Sequence, residues 1–126
     1  MKTLFGLFLI AHALIHSSFI TKAPAQQPGA PIWPFDITKS WILNLNPETL
    51  KVIGIVLTVV ATVGFIASGL GWLGIPVLKT YWVSITVISA ISSILLIVIY
   101  WNNWFVMGPI IDLVILYLVF YKNIRP

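Results

Sequence analysis

Two histidines and one aspartate are the residues of this sequence that could carry chemistry inside an otherwise apolar chain. His12 and His16 lie four residues apart in the segment AHALIH, and Asp112 lies in the segment GPIIDL. A spacing of four places both imidazoles on one face of a helix, where they can contact the same partner. Ionisable residues in membrane helices are rare and face the protein interior, so each of the three is a candidate functional residue.

The chemistry open to these residues is limited. Histidines at i and i+4 of a helix can chelate a divalent metal ion, and Asp112 is the candidate third ligand. No glutamate adjoins the histidines, so the HExxH pattern of zinc proteases is absent. Both imidazoles project from one face, so a haem held by two histidines would need a second chain. The sequence predicts no cofactor outright, and a metal ion or haem stays an alternative.

Depth along the predicted helices groups further polar residues with these three. Asp112 and His16 each lie about six residues, or roughly 9 Å, inside the same end of their helices. We therefore predict one buried polar site composed of His12, His16, Thr58, Ser89, Ser93 and Asp112. A lone carboxylate is costly in hydrocarbon, so one histidine is expected to contact Asp112. This contact either fixes the register of the helices or forms part of a ligand or ion site.

The composition requires a membrane around these residues. Of the 126 residues, 60% are hydrophobic and only 8% are charged, whereas soluble domains carry about 25% charged residues. The seven basic residues are scattered singly, which argues against nucleic-acid binding. The chain has no cysteine, so disulfides and thiolate metal sites are excluded.

Four apolar segments, 4–21, 50–73, 80–101 and 106–121, are each near the length of about 20 residues that a transmembrane helix needs. The predicted fold is an all-α membrane protein, a four-helix transmembrane bundle forming a single domain over residues 1–126. A signal peptide cleaved near residues 23–25 is the alternative for the first segment. The two histidines in its apolar core favour a retained helix.

Basic and aromatic residues predict the orientation. Four spans place both termini and the turn at 74–79 on one side, and residues 22–49 on the other. The first side carries one more basic residue than the second, which favours cytoplasmic termini in a prokaryotic cell membrane. All six tryptophans lie at or near the predicted span ends, as expected for aromatic belts at the two membrane surfaces.

The exported loop, residues 22–49, begins with a proline-rich half and continues as WPFDITKSW. Asp36 is a candidate N-cap for a short interfacial helix over residues 37–43, fastened to the membrane surface by Trp41. Trp33, Phe35, Asp36 and Trp41 form either a lid on the membrane surface or a docking surface for a partner. The sequence Asn46-Pro47-Glu48 predicts the start of the second span near Pro47.

Small residues predict how the spans pack. Gly64 and Ser68, and likewise Ala67 and Gly71, lie four apart in the second span and allow a neighbouring backbone to approach closely. A turn at residues 74–76 predicts an antiparallel pairing of the second and third spans.

The sequence resembles a group of small prokaryotic membrane proteins with a histidine-bearing first helix. Three motifs carry the resemblance, in the order AHALIH, WPFD…SW and GPIIDL. That resemblance covers most of the chain and implies an architecture of four transmembrane helices and nothing about activity. We therefore predict a non-enzymatic integral membrane protein that acts as an oligomer or as an accessory subunit of a membrane complex. The alternative is a ligand-, metal- or haem-binding membrane component that uses His12, His16 and Asp112.

Overall fold

A computed structural model describes residues 2–23, 25, 28–30 and 32–126, and this part of the chain is all-helical. The helices are α1 (Lys2–His16), α2 (Pro47–Trp72), α3 (Pro76–Thr80), α4 (Trp82–Ile99) and α5 (Met107–Phe120). Short 3-10 turns, Ser17–Ile20 and Asn103–Phe105, follow α1 and precede α5. The alternative cleavage site at residues 23–25 and part of the proline-rich half of the loop lie outside the described residues.

Four helical segments are long and apolar enough to cross a membrane, as predicted: Thr3–Ile20, Pro47–Trp72, Trp82–Ile99 and Asn103–Phe120. The second begins where its cap was expected, because the Asn46 side chain accepts a hydrogen bond from the Thr49 N–H at 2.8 Å and Pro47 occupies the first helical position. The connection to the third contains the extra short helix α3, which follows Gly74 in the left-handed region at φ +111°.

The helices pack in the order α1, α2, α4 and α5, each against the next. Glycines allow the closest approaches; Gly64 belongs to the predicted small-residue pattern, and Gly69 does not. A Cβ on Gly69 would lie 2.6 Å from the backbone oxygen of Gly6 in α1, and a Cβ on Gly64 would meet the Ser89 hydroxyl of α4. Side chains join α1 to α5 as well, among them His12 and Asp112, whose Nε2 and Oδ1 atoms lie 2.9 Å apart.

Aromatic and aliphatic side chains fill both ends of the bundle. At the end that carries the chain termini, a core cluster includes Phe65 and Trp82. Trp82 is 1% exposed and its ring centroid lies 5.0 Å from that of Trp72, so this tryptophan belongs to the core and not to an interfacial belt. At the opposite end, which we call the loop end, Phe19, Ile37 and Tyr100 belong to a second cluster.

The predicted interfacial helix over residues 37–43 is wrong: this segment, all of it described, contains no helix. Asp36 Oδ1 accepts from the backbone N–H of Thr38 at 2.9 Å, and Ser40 Oγ accepts from the N–H of Leu43 at 3.1 Å. These side chains satisfy the backbone in local turns, which compete with helix formation. The loop is tied instead to the end of α4, because Trp41 Nε1 donates to the Val98 carbonyl at 2.6 Å.

Candidate functional site

The polar residues that could carry chemistry meet between three helices near the loop end. His12 and His16 come from α1, Ser93 from α4 and Asp112 from α5, and all four are buried. The four-residue spacing on α1 places both imidazoles on the face that is turned toward α4 and α5. We call these four residues the polar centre.

Short hydrogen bonds connect the polar centre. His12 Nε2 lies 2.9 Å from Asp112 Oδ1, which is the expected contact between a histidine and the aspartate. Ser93 Oγ lies 2.5 Å from Asp112 Oδ2 and 2.6 Å from His16 Nε2. His16 therefore reaches the carboxyl group only through the serine, and His12 reaches it directly.

The protons of the polar centre can be counted from these contacts. His16 Nδ1 lies 2.9 Å from the carbonyl oxygen of His12, which can only accept, so Nδ1 carries a hydrogen. Ser93 has one hydroxyl proton for its two contacts, so the second proton comes from His16 Nε2 or from Asp112 Oδ2. His16 and Asp112 are therefore either an imidazolium and a carboxylate or a neutral imidazole and a carboxylic acid. Both forms satisfy the same hydrogen bonds, and each leaves the Asp112–Ser93–His16 group without net charge.

Aromatic rings shield the polar centre. The Phe65 ring of α2 lies edge-on to the His12 ring at 5.0 Å and 6.0 Å from the His16 ring, while Phe8 stacks on His12 at 6.1 Å. Apolar surroundings strengthen the hydrogen bonds inside the centre and raise the cost of an unpaired group there. Sequence reasoning missed Phe65, although its helix was predicted, because nothing local indicates which face of α2 meets α1.

Two predicted members of the site, Thr58 and Ser89, are buried but do not join the polar centre. Ser89 Oγ donates to the Ile85 carbonyl of its own helix at 2.6 Å. Thr58 Oγ1 has no hydrogen-bond partner in the described part of the chain. A separate polar contact joins Ser68 of α2, one of the predicted packing residues, to Thr86 of α4 at 2.5 Å.

A cavity of about 180 Å³ adjoins the polar centre. His12 and His16 line one side, and apolar residues of the α1 and α5 segments, including Phe19 and Phe105, line most of the remainder. Phe35 of the loop packs on both of these phenylalanines, with centroids 5.2 and 5.0 Å away, and so covers the cavity. One of the predicted loop residues therefore lines the same cavity as the two histidines.

The other predicted loop residues lie apart from the polar centre. Trp33 packs on Phe35 with centroids 5.1 Å apart, and the Trp41 ring is 70% exposed. Asp36 faces Lys39, with 4.0 Å between Oδ2 and Nζ. These residues hold the loop against the bundle and contribute no group to the histidines.

The polar centre has the donor set of a metal site. One ligand atom each from His12, His16 and Asp112 lies within 4.8 Å of the others. Tetrahedral zinc bonds of about 2.0–2.1 Å require ligand atoms about 3.4 Å apart, so small side-chain rotations would be needed. The hydrogen bond from His16 Nδ1 to a backbone carbonyl is the outer contact that metal-binding histidines usually make, and it leaves Nε2 toward the centre.

Comparison with known protein families, curated proteins and solved structures finds no match to this chain.

Proposed function

We propose that the chain is a small, non-enzymatic integral membrane protein of a prokaryotic cell membrane that works as an oligomer or as an accessory subunit of a membrane complex. Its termini would lie in the cytoplasm and residues 22–49 outside. Four apolar helices support multi-pass insertion. The excess of basic residues beside the termini supports this orientation.

The proposal of a partner helix rests on the large exposed face of α5. Only 17% of the Asn103–Phe120 segment is buried, the smallest share of the four candidate spans. Leu113, Tyr117 and Phe120 form an exposed row at three- and four-residue spacing. A lipid-facing helix can share such a row with another helix, which would add packing contacts that lipid tails do not provide.

Single cysteines test this interface, since the natural chain has none. Leu113→Cys and Phe120→Cys should form disulfide-linked dimers, or adducts with another subunit, in native membranes under mild oxidation. Ile88→Cys is the matched control, because Ile88 is 57% exposed on α4 and lies away from this row. Cross-linking at Ile88→Cys equal to that of the two α5 variants, or no cross-linking of the α5 variants, would contradict the proposal.

Metal binding at the polar centre is the second candidate function. Three potential ligand atoms within 4.8 Å of one another, two from α1 and one from α5, support it. The chemistry would be divalent transition-metal binding by two imidazoles and one carboxylate, with the adjoining cavity available to a further small ligand. A haem held by both histidines would still require a second copy of the chain.

The proton count gives this second candidate a distinct test. Metal binding needs a carboxylate and two free imidazole nitrogens, so the extra proton held by Asp112 or His16 must leave. Titration of purified protein with Co²⁺ in weak buffer should release about one proton per bound ion and give a visible absorption band. His16→Gln should abolish both signals, and Ser89→Ala, a buried serine outside the centre, should retain them. Binding that is unaffected by His16→Gln would place the metal elsewhere.

A further inference from the structure

A second, larger concavity lies at the loop end and shares Phe19 and Phe35 with the cavity beside the polar centre. Its volume is about 760 Å³, and it is formed by the residues that follow α1, by the loop segment 32–39 and by the first turns of α2. Lys22, Lys39 and Lys51 all line it. Three of the seven basic residues of the chain therefore converge on one groove although they are far apart in sequence.

The groove has an excess of positive charge. Asp36 is the only acidic residue among its lining residues, and Oδ1 of this carboxylate already accepts from the Thr38 N–H and hydroxyl at 2.9 and 2.6 Å. Its other oxygen lies 4.0 Å from Lys39. Within the described part of the chain, no ion pair involves Lys22 or Lys51. Lys22 and Lys51 thus remain available for an anion, and Lys39 can add a further contact because its ammonium lies 4.0 Å from the carboxylate, at the outer limit of an ion pair.

Most of the remaining lining is apolar, apart from Thr21 and Thr38. Phe19, Ile20, Ile37 and Ile55 lie among the lining residues, and the Trp33 ring stands at the loop side. A site for a free inorganic anion would not require these side chains. A ligand with a negatively charged head group and a hydrocarbon tail would contact both the lysines and the apolar lining of the groove.

The uncovered face of α2 continues the apolar half away from the lysines. Lys51, Ile55, Val59 and Val63 follow one another at four-residue spacing, and the last two side chains are 44% and 59% exposed. This row extends about 18 Å along the helix at 1.5 Å per residue. An acyl chain whose head group lies at Lys51 can therefore follow α2 toward the middle of the bilayer.

We propose that this groove binds an anionic phospholipid, with the phosphate of the head group between Lys22, Lys39 and Lys51 and one acyl chain along α2. Basic pockets at the ends of membrane helices bind anionic lipid head groups through such an arrangement. The inference rests on the proposed membrane insertion but not on the partner helix or on metal binding. Occupancy would fasten the loop to α2 at the membrane surface.

Lipid exchange into nanodiscs of defined composition tests the proposal. Native mass spectrometry should show retained phosphatidylglycerol in preference to phosphatidylcholine, and the melting temperature should be higher in phosphatidylglycerol. Lys22→Gln, Lys39→Gln and Lys51→Gln should each reduce the preference by roughly fivefold, the effect of one basic residue at an anionic membrane surface. Lys79→Gln, at the opposite end of the bundle, is the matched control and should leave it unchanged.

Two results would overturn the proposal. The first is a preference for phosphatidylglycerol that persists in the triple lysine variant. The second is an equal stabilisation of detergent-solubilised protein by inorganic phosphate, which would assign the groove to a soluble anion. Failure of the protein to insert into nanodiscs at all would contradict the membrane proposal itself, and this outcome is distinct from insertion without lipid preference.

Discussion

The contact between His12 and Asp112 provides the sharpest test of the polar centre. Asp112 makes one hydrogen bond to His12 of α1 and one to Ser93 of α4, so a single side chain joins three helices. Asp112→Val removes both bonds and replaces the carboxyl group with an apolar side chain of similar size. His12→Leu removes the first bond alone.

The size of the effect follows from the number of contacts. Interhelical hydrogen bonds in membrane proteins contribute about 0.6 kcal/mol on average and at most about 1.7 kcal/mol. Two such bonds give an expected loss of about 1–3 kcal/mol in the free energy of unfolding for Asp112→Val. The value of about 3–5 kcal/mol for breaking a buried pair in soluble proteins is an upper bound. Polar side chains of an unfolded chain in a membrane still find hydrogen-bond partners, which lowers the loss of stability that the substitution causes.

The double variant isolates the direct contact. His12→Leu with Asp112→Val should cost less than the sum of the single changes by about 0.6–1.7 kcal/mol, because neither partner is then left unpaired. Ser93 keeps a partner in this variant, since its hydroxyl can donate to His16. Asp112→Asn should cost less than Asp112→Val, because the amide keeps an acceptor for His12 and gains a donor for Ser93.

Unfolding in mixed detergent micelles, followed by tryptophan fluorescence, measures these differences. Ile91→Val on α4 is the matched control, because Ile91 is 48% exposed and lies two residues from Ser93. Additivity within about 0.3–0.5 kcal/mol would refute a direct pairing of His12 with Asp112. A loss for Ile91→Val as large as that for Asp112→Val would show that the loss of stability does not depend on the polar centre.

Three further predictions concern the packing, the loop and the topology. Gly69→Ala should destabilise the bundle by about 1–3 kcal/mol, because its Cβ would lie 2.6 Å from the backbone oxygen of Gly6; an unchanged unfolding midpoint would contradict this close approach. Trp41→Phe removes the donor to the Val98 carbonyl, so amide exchange in residues 37–43 should accelerate, and identical exchange rates would mean that the indole does not fasten the loop. Cysteines placed at Ala30 and Asn123 should react with impermeant reagents from opposite sides of sealed cells, whereas labelling from one side would exclude four spans.

The polar centre combines features of a structural contact and of a binding site. Its hydrogen bonds are satisfied within the chain, as a device that fixes helix register requires. It also adjoins a cavity and includes three potential metal ligands, which a purely structural contact does not need. The cobalt titration separates these roles, since a structural contact alone would bind no ion and release no proton.

Hydrophobic length and composition alone determined the helical class and the number of long helices. Continuous apolar segments of near 20 residues leave no other regular structure with satisfied backbone groups in a bilayer. The cap at Asn46 and Pro47 was also predictable, because capping depends on neighbours along the chain. The four-residue spacing in AHALIH likewise placed both histidines on one helix face.

Tertiary structure decided which side chains meet. Asp112 and His12 are 100 residues apart, and their contact depends on packing between helices. No local pattern shows that Ser93 bridges to Asp112 while Ser89, one turn away, bonds to its own helix. The failed helix at residues 37–43 has in part the same origin, because the end of α4 accepts hydrogen bonds from Ser40 and Trp41 that an isolated segment lacks. Spacing along the chain therefore determined which residues share a helix face. The rotation of one helix against another determined which residues of different helices contact each other.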